Sequence, residues 1–324
     1  IPWKFLTHVA ITSWIEYDQW FKFFPKFSGM QRGVFYVRRN TENADTSNII
    51  TATNFPNLVD LTLIFYNTDI TTTTFEPYRM PKLEHLRLGA YQQPFDIKAF
   101  DVTNLHPPLS MLTSLSLCHL SWEAPVQTIV EILLQTINLT CLTLGISTNY
   151  DQLLEQFQID WNGFALLPKL TSFTIDCIPR VYASTQSSDS NPKADYSSPV
   201  LLSLTSDGFT SMVKDRWRPL ETISQLTEVS LYLPRGYEPL LASIKTSLKR
   251  EVEEGLQLDV GSESVDGGAT DREGKWVDPM DQPLTHWHEG LVAQTKDVDC
   301  AKCLRAAAED NEQLKNAKEY LHCM

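Results

Sequence analysis

The feature that most limits what this chain can become is a phrase that returns five times. Phe55-Pro56-Asn57-Leu58-Val59-Asp60-Leu61-Thr62-Leu63 is echoed from Met80 to Leu88, Leu109 to Leu117, Thr136 to Leu144 and Leu167 to Ile175. Counted from the first leucine of each L-x-x-L-x-L core, the anchors are Leu58, Leu83, Leu112, Leu139 and Leu170, spaced by 25, 29, 27 and 31 residues. One such hexapeptide carries no information. Five at near-constant spacing, three of them preceded by Pro-Asn or Pro-Lys, describe a repeat array rather than an α/β domain with coincidental strands. Fainter copies at Leu6 to Ile11, Met30 to Phe35, Pro199 to Leu204 and Leu226 to Leu231 extend the count to nine turns.

The spacing has a physical reading. Alternation in x-L-x-L-x puts the leucines on one face of a short strand, and the leucine three residues earlier packs on the same core. A single unit cannot bury its leucines, whereas stacked units share one continuous core. Parallel strands then line one side, and the intervening residues return along the other. Three returns read as helices: Glu123 to Thr136, with Val126, Ile129, Val130 and Leu133 on one face, Tyr150 to Phe157, and Pro239 to Val252. Thr68 to Thr74 does not. The expected fold is α/β: a solenoid with a curved parallel sheet on its concave face, helices and loops on its convex face, and a C-terminal helical tail.

These residues resemble leucine-rich repeats of the ribonuclease-inhibitor-like type. The irregular period and the x-Pro-x-Leu-x-x-Leu-x-Leu phrasing resemble the repeat regions of fungal F-box proteins, over roughly residues 1–250. One departure stands out. The Asn or Cys usual three residues after the last strand leucine is replaced by Tyr66, Tyr91, Leu120, Ser147 and Ile178, so the asparagine ladder is missing. The resemblance implies a protein-interaction module, the substrate-recognition region of an F-box-type (SCF) ubiquitin-ligase subunit. A Skp1-like adaptor would be reached only through an F-box upstream of Ile1. The alternative is a repeat scaffold or regulator that binds one protein partner outside ubiquitin chemistry.

With leucines pointing inward, the alternating residues form the candidate partner surface. That row holds Asp60 and Thr62, His85 and Arg87, Ser114 and Ser116, Thr143, Thr174 and Glu228, continued by His8, Ala10, Arg32, Val34, Cys141, Ser172 and Ser230. Tyr66, Tyr91 and Trp122, with Trp14 and Tyr36, are expected beyond the strands as an aromatic rim. Such rings dominate interface energetics. No G-x-S-x-G, H-E-x-x-H or phosphate loop occurs, so no catalytic residue is assigned and no cofactor is expected.

Charge narrows the partners. The chain of 324 residues has a formal net charge of −13, which disfavours nucleic acid and anionic membrane. No stretch of eighteen apolar residues occurs. The acidity is concentrated at the end, where residues 249–324 hold 9 basic and 17 acidic side chains. A monomer in the cytosol or nucleus is expected. The scattered Cys118, Cys141 and Cys177 fit a reducing compartment. Cys118 and Cys141, four strand residues out of step, are expected to be free thiols on the inner face.

Beyond the repeats, residues 183–198 read as a Ser/Asp/Asn-rich surface loop, and residues 251–275 as an acidic Gly/Ser-rich linker. Residues 276–324 form a C-terminal segment with a capping helix. There Leu304, Ala307, Leu314, Ala317 and Leu321 make one apolar stripe, suited to covering an open end of the array. Cys300-x-x-Cys303, flanked by His286, His288, His322 and Cys323, has metal-ligand spacing and raises a zinc-binding tail as a third reading. A lone C-x-x-C is also simply two small side chains at a helix start, and no metal ligand is assigned.

Overall fold

A computed structural model describes residues 3–38, 53–66, 78–91, 109–123, 125–160, 162–177, 203–234 and 236–262. Their centre is one nine-stranded sheet, parallel throughout. In chain order the strands are β1 (His8–Glu16), β2 (Arg32–Arg38), β3 (Thr53–Asn54), β4 (Asp60–Tyr66), β5 (Tyr78–Arg79), β6 (His85–Tyr91), β7 (Ser114–Glu123), β8 (Cys141–Ser147), β9 (Ser172–Asp176), β10 (Glu228–Leu233) and β11 (Gln257–Ser262). β3 and β5 pair only with each other, and the other nine lie side by side in sequence order. The helices are α1 (Tyr17–Phe23), α2 (Val126–Gln135), α3 (Tyr150–Phe157), α4 (Ser206–Trp217), α5 (Glu238–Ser247) and α6 (Lys249–Glu253).

All five anchors are buried, as are Leu61, Leu63, Leu86, Leu88, Leu115, Leu117, Leu142 and Leu144. They belong to one continuous cluster that runs from Val9 to Val260. Each buried leucine contributes about 1.5–3 kcal/mol relative to an exposed one. The same backbone device precedes each anchor. The amide of Leu6, Met30, Leu58, Leu83, Leu112, Leu139 or Leu170 donates to the carbonyl three residues earlier, at 2.8 to 3.4 Å. That is a β-turn closing just before the strand. It explains the prolines, because Pro56, Pro81 and Pro168 stand at the second turn position, where a φ near −65° is wanted.

A ladder that the missing asparagines do not foretell runs along the start of the strands. The residue after each anchor donates its amide to its counterpart one turn back: Glu84 to Val59, Thr113 to Glu84, Thr140 to Thr113, Thr171 to Thr140 and Thr227 to Thr171; in the last turn the next residue along, Gln257, donates to Thr227. From Thr113 onward the threonine hydroxyls do the same. Thr140 Oγ1 donates to the Thr113 carbonyl at 3.0 Å, and Thr113, Thr171 and Thr227 make the equivalent bond at 3.2 to 3.3 Å. Its sequence signal is the threonine after the anchor in Leu112-Thr113, Leu139-Thr140, Leu170-Thr171 and Leu226-Thr227.

Three expectations are corrected. First, no strand lies between β9 and β10, which pair directly, so the copy at Pro199 to Leu204 is not a turn of the sheet. Its described residues serve helices instead. Ser203 Oγ donates to Asn149 Oδ1, and the Thr205 amide donates to Asp151 Oδ1, joining α3 to α4. Second, the sheet does not stop at residue 250. Gly255, at a φ of +116° that favours glycine, turns the chain from α6 into β11, and Glu251 is buried. The ninth strand is therefore β11, and the stretch 251–262 is not linker. Third, the expected helix from Pro239 to Val252 is two helices, broken at Leu248. Of the remaining expectations, α3 has the bounds read from the sequence, and α2 lies inside its expected span. The loop at 183–198, residues 68–74 and the segment 276–324 lie outside the described residues.

Candidate functional site

The face away from the leucines is laid out by register. His8, Arg32, Asp60, His85, Ser114, Cys141, Ser172, Glu228 and Gln257 stand side by side on consecutive strands. Ala10, Val34, Thr62, Arg87, Ser116, Thr143, Thr174, Ser230 and Asp259 form the next row. Neighbours within a row are about 4.8 Å apart, so each row is a ruler of side chains across the sheet. The alternation read from the sequence thus brings together every small and charged residue assigned to this surface.

Accessibility divides the rows. Asp60, Thr62 and Ser116 are buried, Thr62 completely, and this corrects the expectation that they face solvent. The cause is the size of their neighbours. Arg87 leans across β4 to place Nη1 2.6 Å from Asp60 Oδ1, and both side chains are largely withdrawn from water. Ala10, Val34 and Tyr36 pack together beside them. Ser114, Thr143 and Thr174 are half-buried, as are His85 and Arg87, and Glu228 is exposed.

The rim residues are placed differently from the expectation. Trp14, Tyr36, Tyr66, Tyr91 and Trp122 lie within strands rather than beyond them, because β1, β2, β4, β6 and β7 run seven to ten residues. The side chains of Tyr66, Tyr91 and Trp122 fall outside what the structure describes. Trp14 and Tyr36 are paired in register with ring centroids 5.3 Å apart, and both pack against a small apolar cluster of Ile64 and Cys118. The thiols of Cys118 and Cys141, which form no disulfide, stand on this outer face, the first buried and the second exposed. Sequence reasoning overlooked Ile64 as part of the outer face. Its signal is the unbroken apolar run Leu63-Ile64-Phe65, in which both faces of the strand are covered.

The electrostatics are uneven. Burial lowers the pKa of His8, and Arg32 lowers it further against the opposing pull of Asp60. Burial also lowers that of His85, Asp60 raises it, and Arg87 and Arg32 lower it. Both imidazoles are therefore held toward the neutral form. At the other end of the face, the Tyr232 hydroxyl donates to Asp259 Oδ2 at 2.6 Å, and its pKa is raised by burial first and by that bond second. The face runs from an Arg/His-containing end at β1–β6 to an acidic end at Glu228 and Asp259. Among the described residues no group of three or more His, Cys, Asp or Glu is placed to hold a metal ion, and Cys300 and Cys303 lie outside them. Among the described residues no helix is long and apolar enough to cross a membrane.

The chain matches no protein family, no curated protein and no solved structure with which it was compared.

Proposed function

We infer that this chain is a leucine-rich-repeat solenoid that works as a protein-binding module, with the face opposite the leucines as its concave recognition surface. It makes and breaks no bond itself. The observation that carries this reading is the register: nine parallel strands in sequence order, each presenting two outward positions in unbroken rows. A surface of that kind offers an extended, regularly spaced set of contacts to one macromolecular partner. Thr143 and Thr174, with Glu228, are the accessible part of the floor. At the other end His85, held toward its neutral form, and Arg87, paired with Asp60, supply polar contacts, and Trp14 and Tyr36 supply the aromatic anchor.

On the resemblance of its repeats, the module is the substrate-recognition region of an F-box-type ubiquitin-ligase subunit, holding a target while an upstream F-box engages a Skp1-like adaptor. Tagging the full gene product in its native host tests this. Co-purification of a Skp1-like adaptor together with a target supports it. A target without any adaptor overturns the ligase assignment and leaves the scaffold reading. Substitution of Thr143→Arg with Thr174→Arg is expected to release the target while leaving any adaptor bound.

A further inference from the structure

A second surface, where the chain enters β8, β9 and β10, presents apolar side chains to solvent. The segments that lead into β8, β9 and β10 enclose a groove of about 260 Å³. It is lined by Leu134 from the last turn of α2, Ile137 before β8, Phe164 and Leu167 before β9, and Ile223 before β10. Leu134 is 50% exposed, Ile137 55% and Phe164 62%. Leu220, 54% exposed, adjoins them across Gly163. Among the described residues no charged side chain lines the groove. Phe164 is not displayed by a loose loop. Asp160 Oδ1 accepts the amides of Asn162 and Phe164 at 2.9 and 2.7 Å, and the Asp160 amide donates to the Phe164 carbonyl at 2.9 Å. A turn with that many bonds holds a phenylalanine outward, where water is a poor neighbour for it.

We propose that residues 301–321 of this same chain dock in the groove as an amphipathic helix. The stripe Leu304, Ala307, Leu314, Ala317 and Leu321 supplies one apolar face. Its scale fits. Leu314 and Leu321 are seven residues apart, about 10 Å along a helix, and the groove crosses the leads of three neighbouring strands, also about 10 Å. Charge fits as well: residues 301–321 carry four basic and four acidic side chains, so an uncharged groove meets a helix of zero net charge. The tether is adequate. β11 adjoins β10, and 38 residues, 263–300, separate it from the stripe; a chain of that length reaches about 34 Å even at coil dimensions, so stripe and groove share a high effective concentration. The open edge at β11 is a poorer seat, because α6 shows only Val252 as an exposed bulky apolar residue there. Docking in the groove leaves the polar face of the sheet open.

Cross-linking of the full chain tests this directly. With the exposed Cys141 replaced by serine, Thr222→Cys places one thiol at the groove rim, and the native Cys300, Cys303 and Cys323 supply thiols on the tail. Buried Cys118 and Cys177 stay silent. A short bismaleimide is expected to join residue 222 to the tail within one chain at least fivefold more than it joins a control Gln19→Cys on α1. Leu314→Glu with Leu321→Glu, or Phe164→Glu alone, removes that excess. Equal yields at both positions, or an excess that survives these substitutions, overturns the proposal. Cross-links recovered only between two chains overturn it in favour of a dimer seated on the groove.

Discussion

The turns around β1–β6 and those around β8–β11 solve one packing problem by different means. In the first group the core behind the sheet is filled by rings. Trp20 stacks on Phe24 at 4.0 Å, and Phe24 meets Phe55 at 4.4 Å and Tyr78 at 4.9 Å. In the second group α2, α3, α4 and α5 supply Ile129, Leu153, Met212 and Ile244, and the threonine ladder ties successive turns together. The outward faces differ in the same places. His8, Arg32, Asp60, His85 and Arg87 crowd the first, while Ser and Thr hold the floor of the second. The strand period is shared, so the leucine spacing dictates the sheet alone. What stands behind and before the sheet is set locally.

Substitutions can break or sharpen that contrast. The largest effect is expected at the ring cluster: Phe24→Ala should cost about 3–5 kcal/mol in chemical denaturation, because four aromatic neighbours, Trp20, Phe35, Phe55 and Tyr78, lose their partner. A loss below about 1.5 kcal/mol would show that the first group does not rest on its rings. Next comes the Asp60–Arg87 pair. A double-mutant cycle should give about 1–3 kcal/mol of coupling, since both side chains are largely buried. The more exposed Arg38–Glu16 pair, also at 2.6 Å, should give about 0.2–1 kcal/mol. Thr140→Val, in the middle of the ladder, should cost about 1 kcal/mol by losing one hydrogen bond at constant shape. The reverse change, Val59→Thr, places a hydroxyl at the matching position of the first group. A gain there would show that the ladder is transferable.

The smallest effects are in pH. His8 and His85 bind protons more weakly in the fold than in the unfolded chain. Stability therefore rises with pH through the window just below the usual imidazole value near 6.5 and is reduced on the acid side. His8→Gln with His85→Gln should flatten that slope in melting curves. Glu254, in the second group, behaves oppositely. Its pKa is pulled to about 2, first by Arg218, then by Trp217 and Arg250. Its contribution is complete above the ordinary carboxylate range and is lost as pH falls toward about 2. The Tm difference between wild type and Glu254→Gln should therefore shrink in acid.

The sheet was legible because leucine periodicity is dictated by burial, and burial is what the leucines report. β11 was not, because Gly255 stands where an anchor leucine would be and its neighbour Leu256 breaks the phrase. The false copy at Pro199 to Leu204 shows the converse. Ser203 looks like a strand residue by spacing but is taken by Asn149, the residue that caps α3. α4 was missed although Phe209, Met212, Val213 and Trp217 recur at i, i+3, i+4 and i+8, because Thr210 and Arg216, buried with them, make that face look polar in part. Arg216 itself is wholly buried and donates to the carbonyls of Leu166 and Leu167, a role no pattern announces. On the candidate face, the alternation gave the residue rows correctly. It could not give access to solvent, which depends on long side chains from neighbouring strands, such as Arg87 reaching Asp60 and Tyr36 packing on Ala10 and Val34.

The central claim is that the open half of this face receives a protein partner. Photo-crosslinking side chains placed singly at Thr143 and Thr174, in the full gene product in its native host, test it most directly. A common partner attached from both positions, and not from the exposed Glu155 on α3, is the predicted result. Attachment of that partner from Glu155 but from neither threonine would contradict it.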